Sequence, residues 1–123
     1  VAYHRLMLAE NDLQNHVTAR DCAEILRQIY KKTCISEAVS EKMLQLLENQ
    51  QVNDRLPLLL PEDVTVAHKT GNLSGICIAD VGIVELKDSP YLICVICNDP
   101  YTDAGATSEI AELSQSVYRA FAG

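Results

Sequence analysis

Positive charge is scarce in this chain: ten Lys and Arg stand against seventeen Asp and Glu, a net charge of −7 over 123 residues. A surface of that sign offers no footprint for a phosphate backbone or an anionic lipid headgroup, which excludes nucleic acid and membrane surfaces as expected partners. Long apolar runs are missing too. The longest, such as Tyr91 to Cys97, has the length of a strand and falls far short of the roughly 20 residues of a membrane helix, so no membrane span is expected. No disulfide plan is visible. The five cysteines, Cys22, Cys34, Cys77, Cys94 and Cys97, are odd in number, sit among apolar neighbours and lack ligand spacing, so most are read as small buried hydrophobes; neither a metal nor a cofactor is implied. An initiator Met and a signal-type segment are absent at Val1, which is read as a start downstream of the natural N-terminus; the compartment is not legible from this end.

What is present is the composition of one globular domain, 48% hydrophobic and 22% charged, long enough to bury one modest core. Val1 to Glu10 reads as a short helix or turn, and Asn11 to Val17 as a loop. Thr18 is an N-cap, with Asp21 in the first turn, and Cys22, Ile25, Leu26, Ile29 and Tyr30 then recur at the spacing of one buried helical face. Lys31 and Lys32 suit the C-terminal end of that helix. Ser36 and Glu37 start a second helix with Val39, Met43, Leu46 and Leu47 as its stripe. Val52 to Asp63, with Pro57 and Pro61 around Leu58, Leu59 and Leu60, reads as a connector with a buried apolar middle.

From Val64 the period changes to two. Val64, Val66 and His68 share one face, Thr65, Ala67 and Lys69 the other, and Gly71 to Gly75 reads as a tight turn. Ile76 to Leu86 and Tyr91 to Asn98 follow as a hairpin around Lys87 to Pro90. After Asp103 to Gly105, the residues Ile110, Leu113, Val117, Tyr118 and Phe121 mark a closing helix that covers one sheet face. The expected class is α+β, an antiparallel sheet of three consecutive strands flanked by helices in the order α-α-β-β-β-α.

The compact polar set is His68, Lys69, Thr70, Gly71 and Asn72. A cation, a hydroxyl and a glycine along one strand end suit the binding of a carboxylate beside an acyl group, although a lysine entering a glycine turn also occurs for purely structural reasons. None of the seven serines at positions 36, 40, 74, 89, 108, 114 and 116 has a lysine three residues later, so none can use a helical Ser-Lys pair for activation. His4, His16 and His68 are read as surface or satisfied histidines. Asp80, inside an apolar strand, is expected to be buried and paired, with Arg55 as its candidate partner. Cys94 and Cys97 fall on opposite faces of a strand and cannot readily chelate one ion.

The run from Arg55, Leu56 and Pro57 through Val66-Ala67-His68-Lys69-Thr70-Gly71 to Asp80-Val81-Gly82-Ile83-Val84 resembles the class A β-lactamases, whose Lys-Thr-Gly motif is shared with penicillin-binding proteins. Asn15, Thr18, Ala19, Arg20 and Asp21 look like that family's lead into the helix after its active-site loop. The resemblance covers nearly the whole chain and implies the C-terminal half of the fold, without the Ser-x-x-Lys nucleophile and without Ser-Asp-Asn. By this resemblance Lys69 and Thr70 bind the substrate carboxylate, with Lys69 also in the proton network, Gly71 admits the substrate, and the Asn72 N–H is one of two oxyanion donors. If Arg5 matches the family's loop arginine, Met7 stands in the place of its deacylating acid, with Glu10 a weak substitute. A penicillin-binding or slow esterase-like activity would survive that change.

The implied partners are a small-molecule or peptide acyl substrate and, along the otherwise exposed last strand, either the missing N-terminal half or a second copy of the chain. The resemblance also implies action outside the cytoplasm. The alternative reading is a non-catalytic binding module that keeps the Lys69 to Asn72 strand.

Overall fold

A computed structural model describes residues 16–123 of the chain. The expected helix or turn over Val1 to Glu10 lies outside the described residues, as do His4, Arg5, Met7, Glu10 and Asn15. The described elements are α1 (Ala19–Tyr30), α2 (Glu37–Glu48), β1 (Val66–Leu73), β2 (Cys77–Val84), β3 (Tyr91–Asn98) and α3 (Asp103–Ala122). Their order is the α-α-β-β-β-α of the sequence reading. The strands form one antiparallel sheet in the order β1-β2-β3.

Local chemistry explains where α1 and α2 begin. Thr18 Oγ1 accepts from the Asp21 N–H at 3.1 Å, and the Asp21 carboxylate accepts from the Thr18 N–H at 2.8 Å, a reciprocal cap. Those bonds hold the Asp21 carboxyl below its ordinary range. Ser36 caps α2 by accepting from the Val39 N–H. The expected stripes are only partly buried. In α1, Leu26 and Ile29 lie inside while Ile25 is exposed; in α2, Leu44 and Leu47 pack inward and Val39 and Leu46 face solvent. The fully buried residue of α2 is Ser40, whose hydroxyl donates to the Cys34 carbonyl at 2.8 Å and ties the helix to the segment that leads into it.

The connector also differs from its expected form. Leu58 and Leu59 are exposed, and the buried residues are Leu56 and Leu60. Tight turns from Arg55 to Leu58 and from Pro57 to Leu60 coil this segment, which brings positions four apart onto one inner side.

β1 is longer than expected at its end. Lys69, Thr70 and Gly71 lie inside a paired ladder opposite Val81, Asp80 and Ala79, and the reversal comes at Ser74 and Gly75. Gly71 faces the small Ala79 and stays in the ladder, while Gly75, at φ 72°, supplies the left-handed turn. β2 is correspondingly shorter than the expected Ile76 to Leu86.

Cross-strand partners share a face. On one face Val66, Ile78, Val84, Tyr91 and Ile93 pack with Leu56, Leu60, Ala106 and Ile110, which places α3 and the connector there. On the other, Ala67, Ile83, Leu92 and Cys94 meet Leu26, Tyr30, Leu44 and Leu47, which places α1 and α2 there. Helices therefore cover both faces of the sheet. Cys94 and Cys97 belong to these opposite clusters, as their spacing implied, and all five cysteines are free thiols.

The expected stripe of α3 is met at Ile110, Val117 and Tyr118, which pack on the core, and not at Leu113 and Phe121. Ala106, Ile110, Ala111 and Ser114 are buried, while Leu113 and Phe121 are half exposed, because small residues let the helix approach the connector. Ser114 Oγ donates to the Leu56 carbonyl at 2.7 Å. Phe121 instead stacks on Tyr91 with ring centroids 4.4 Å apart.

Close approach also fixes Gly82. A methyl group there would lie 2.8 Å from His68 Cβ, 3.0 Å from the Ala67 carbonyl and 3.2 Å from Leu56 Cδ1. Gly82→Ala is expected to cost about 1–3 kcal/mol by overpacking. A urea unfolding curve with an unchanged midpoint would show that the three neighbours yield freely.

A second consequence concerns acid strength. Glu85 follows β2 with one carboxylate oxygen buried and unpartnered, and its carboxyl is pushed up to about 7, first by burial and then by hydrogen bonding and repulsion from Glu48. The folded state thus holds a proton that the unfolded chain releases near 4.5. This contribution is fully present below that value and is lost as the pH rises through about 7. Glu85→Gln is expected to flatten the fall in stability between pH 5 and pH 8, as read from urea midpoints at both pH values.

Candidate functional site

The four candidate residues lie along β1, an outer strand of the described sheet. Strand alternation divides them: Lys69 and Gly71 lie on the α1/α2 side, Thr70 and Asn72 on the α3 side. Lys69 and Asn72 are exposed and Thr70 and Gly71 are half-buried, so the whole tract is reachable from solvent. The Lys69 ammonium donates to the Thr70 carbonyl at 2.6 Å. Beside it lies a mostly apolar hollow of about 270 Å³, lined by Ile29, Met43, Leu46, Leu47 and Gln50. A cation at the rim of an apolar hollow, next to a hydroxyl and a strand backbone, can hold a carboxylate while the rest of a ligand lies against hydrocarbon.

Behind this tract is a buried polar cluster. His68 and Asp80 are both fully buried, with His68 Nδ1 at 2.9 and 3.1 Å from the two Asp80 oxygens. Asp80 also accepts from the Leu56 N–H at 3.1 Å, and His68 Nε2 faces Asn53 Oδ1 at 2.9 Å. The expected pairing of Asp80 with Arg55 is corrected here. Asp80 lies opposite Thr70 and diagonal to His68 on the same face, so the ring reaches it first. Arg55, 3% exposed, extends beyond that pair and donates through Nη1 to the carbonyls of Ala79 at 3.0 Å and Gly71 at 3.3 Å. Its Nε lies 3.2 Å from Asp54 Oδ1 without hydrogen-bond geometry.

His68 is satisfied and turned away from Lys69, as its place in the alternation implied, and His16 is exposed. The positions that sequence reading missed are Asn53 and the backbone role of Arg55. Their signal was weak, because both act across the connector on strands far along the chain. Among the described residues, no group of three or more His, Cys, Asp or Glu side chains is gathered as a metal site. No described helix is long and apolar enough to cross a membrane.

A layered α+β domain with an accessible Lys-Thr-Gly strand backed by a buried polar cluster is the class of protein defined so far. Residues 2–121 match the Beta-lactamase enzyme family, and the chain belongs to it. It is 34% identical over 131 residues to the extended-spectrum β-lactamase PER-1 of Pseudomonas aeruginosa, an alignment that covers 97% of this chain and 42% of that protein. Its fold superimposes on PBP-A with a TM-score of 0.75 at 30% identity, covering 83% of this chain and 38% of that one. On a β-lactamase from Sphaerobacter thermophilus the TM-score is 0.83 at 22% identity, with 90% and 43% covered, a likeness of fold. The chain spans less than half the length of each of these relatives.

Proposed function

We propose that this chain is the C-terminal portion of a β-lactamase-like serine acyl-transfer enzyme acting on β-lactams or cell-wall peptides. The observation that carries the reading is the accessible tract Lys69-Thr70-Gly71-Asn72 on an outer strand in a member of this family. In this reading Lys69 and Thr70 bind the substrate carboxylate through an ammonium and a hydroxyl, and Lys69 takes part in the proton network of acylation. Gly71 lets the acyl group come close to the backbone. The Asn72 N–H is one oxyanion donor, and the other accompanies a serine nucleophile outside this chain. Neither metal nor cofactor enters this chemistry. The site would meet its substrate outside the cytoplasm, as the family resemblance implies.

An intact-mass spectrum of the purified protein before and after exposure to a penicillin tests the reading. A second polypeptide that gains the mass of the drug supports it. A lone, unmodified chain of 123 residues favours the second reading, a binding module, for which the lack of a Ser-x-x-Lys in this sequence speaks. In the reassembled enzyme, Lys69→Ala is expected to slow acylation about 10- to 150-fold, the loss of one charge-assisted hydrogen bond of about 1.5–3 kcal/mol. Because Lys69 is exposed, the same change should leave the urea midpoint in place. An unaltered acylation rate would remove Lys69 from the site.

The outer edge of β3 has no partner strand among the described residues. It is proposed to pair with the N-terminal half or with a second copy. Light scattering that finds a monomer, together with a denaturing gel that shows no companion polypeptide, would sink both versions.

A further inference from the structure

Both ring nitrogens of His68 face acceptors. Nε2 lies 2.9 Å from Asn53 Oδ1, and the Asn53 amide is fixed in that sense because its Nδ2 donates to the Gln50 carbonyl at 3.1 Å. Reversing the amide would set two oxygens against each other at the Gln50 carbonyl and waste the donor. An amide oxygen only accepts, so Nε2 carries a proton.

On the other side of the ring, Nδ1 meets both oxygens of Asp80, at 2.9 and 3.1 Å, while Asp80 Oδ2 also takes the Leu56 N–H. A neutral pair would place the proton on one carboxyl oxygen and turn the lone pairs of the other toward a bare ring nitrogen at close to 3 Å. An ionised carboxylate facing an N–H satisfies all three contacts.

We infer that His68 carries a proton on both ring nitrogens, forming a buried imidazolium–carboxylate pair with Asp80, and that this pair with Asn53 is the positioning device for Lys69 and Thr70. The other charged groups around the pair are Arg55, whose guanidinium is spent on the Ala79 and Gly71 carbonyls, Asp54 beside Arg55, and Lys69 on the opposite side of the sheet. The outer edge of β1 has no strand beside it among the described residues. Its outward carbonyl at His68 is instead tied by the Gln50 side chain, while Arg55 reaches over the sheet face to the carbonyls of the ladder pair Gly71 and Ala79, so the two contacts bracket Lys69 and Thr70. The His68 ring locks the same region to β2. The strand that presents the Lys-Thr-Gly tract is thereby set by a clasp of side chains rather than by a second ladder. The positioning role rests on the function proposed above; the state of the ring does not.

Long-range proton–nitrogen correlation on the ¹⁵N-labelled protein at neutral pH reads the ring directly, with no ligand present. Two protonated, imidazolium-type nitrogens at His68 are expected, and one unprotonated nitrogen would overturn the inference. In Asn53→Leu, with folding checked by the amide signals of α3, the ring is expected to become a neutral tautomer and the amide signals of Lys69, Thr70 and Gly71 to shift. A ring that keeps both protons, or a Lys69–Gly71 tract that does not respond, refutes the positioning role. Asn53→Asp retains an acceptor and should preserve both protons; loss of the imidazolium signal in that variant would count against the clasp, even if Asn53→Leu fails to fold. A protein that shows the imidazolium but gains no mass with penicillin would reject the acyl-transfer reading and leave the state of the ring established.

Discussion

Asp80→Ala is expected to lower the stability of the folded chain by about 3–5 kcal/mol, a large share of the roughly 5–15 kcal/mol that a domain has to lose. The side chain is fully buried on β2 and is the shared acceptor of two other segments, the His68 ring on β1 and the Leu56 N–H of the connector. Alanine leaves a buried ring N–H and a backbone N–H without acceptors and opens a space among residues held by the sheet. Asp80→Asn should cost less, because its carbonyl oxygen still accepts one of the two donors, while its NH₂ adds a donor where an acceptor is needed. Urea unfolding of the two variants beside the parent chain checks the order. A loss below about 1 kcal/mol for alanine would mean that water enters and replaces the carboxylate.

Element order was readable because local chemistry announced it. Thr18 and Ser36 capped helices as their side chains require, and the change of period near Val66 marked the sheet. The failures share a physical cause. Glycine permits a turn at position 71, but its place in the ladder depends on the small partner Ala79, fixed only once β1 and β2 are aligned. Hydrophobicity alone favours Leu58 and Leu59 for the interior, yet the turns of the connector give the inner side to Leu56 and Leu60. In α3 the expected Ile110 is buried, but its buried neighbours are Ala106, Ala111 and Ser114 rather than Leu113, since what a close helix crossing needs is smallness.

The candidate site divides along the same line. Lys69, Thr70, Gly71 and Asn72 are contiguous and could be read as one tract. The cluster behind them joins Asn53, Arg55, His68 and Asp80 across separations of 12 to 24 residues. Alternation placed His68 with Val66, but only the hairpin register brings Asp80 to its diagonal. Arg55 and Asp80 are a sensible pair by charge. Geometry instead gives the carboxylate to the nearer ring and sends the longer guanidinium on to the backbone.

Leu56→Ala should come close to Asp80→Ala in cost, at about 2–5 kcal/mol, for a different reason. Leu56 is fully buried where the connector crosses between the sheet and α3, and its backbone is held at both ends: the N–H by Asp80 and the carbonyl by the Ser114 hydroxyl. Removing most of the side chain leaves a cavity bordered by the Gly82 position of β2 and the core around Ile110. Neither wall can close on it easily, because the strand is laddered on both sides and α3 already packs through small residues. The cost is therefore expected in the upper part of that range. Leu58→Ala, two residues away on a side chain that is 54% exposed, should move the urea midpoint by no more than about 0.5 kcal/mol equivalent. Equal effects at the two positions would mean that the connector shifts to bury either leucine. Arg55 would then lose its fixed reach to the Gly71 and Ala79 carbonyls, and the Lys-Thr-Gly strand would lose a tie to β2.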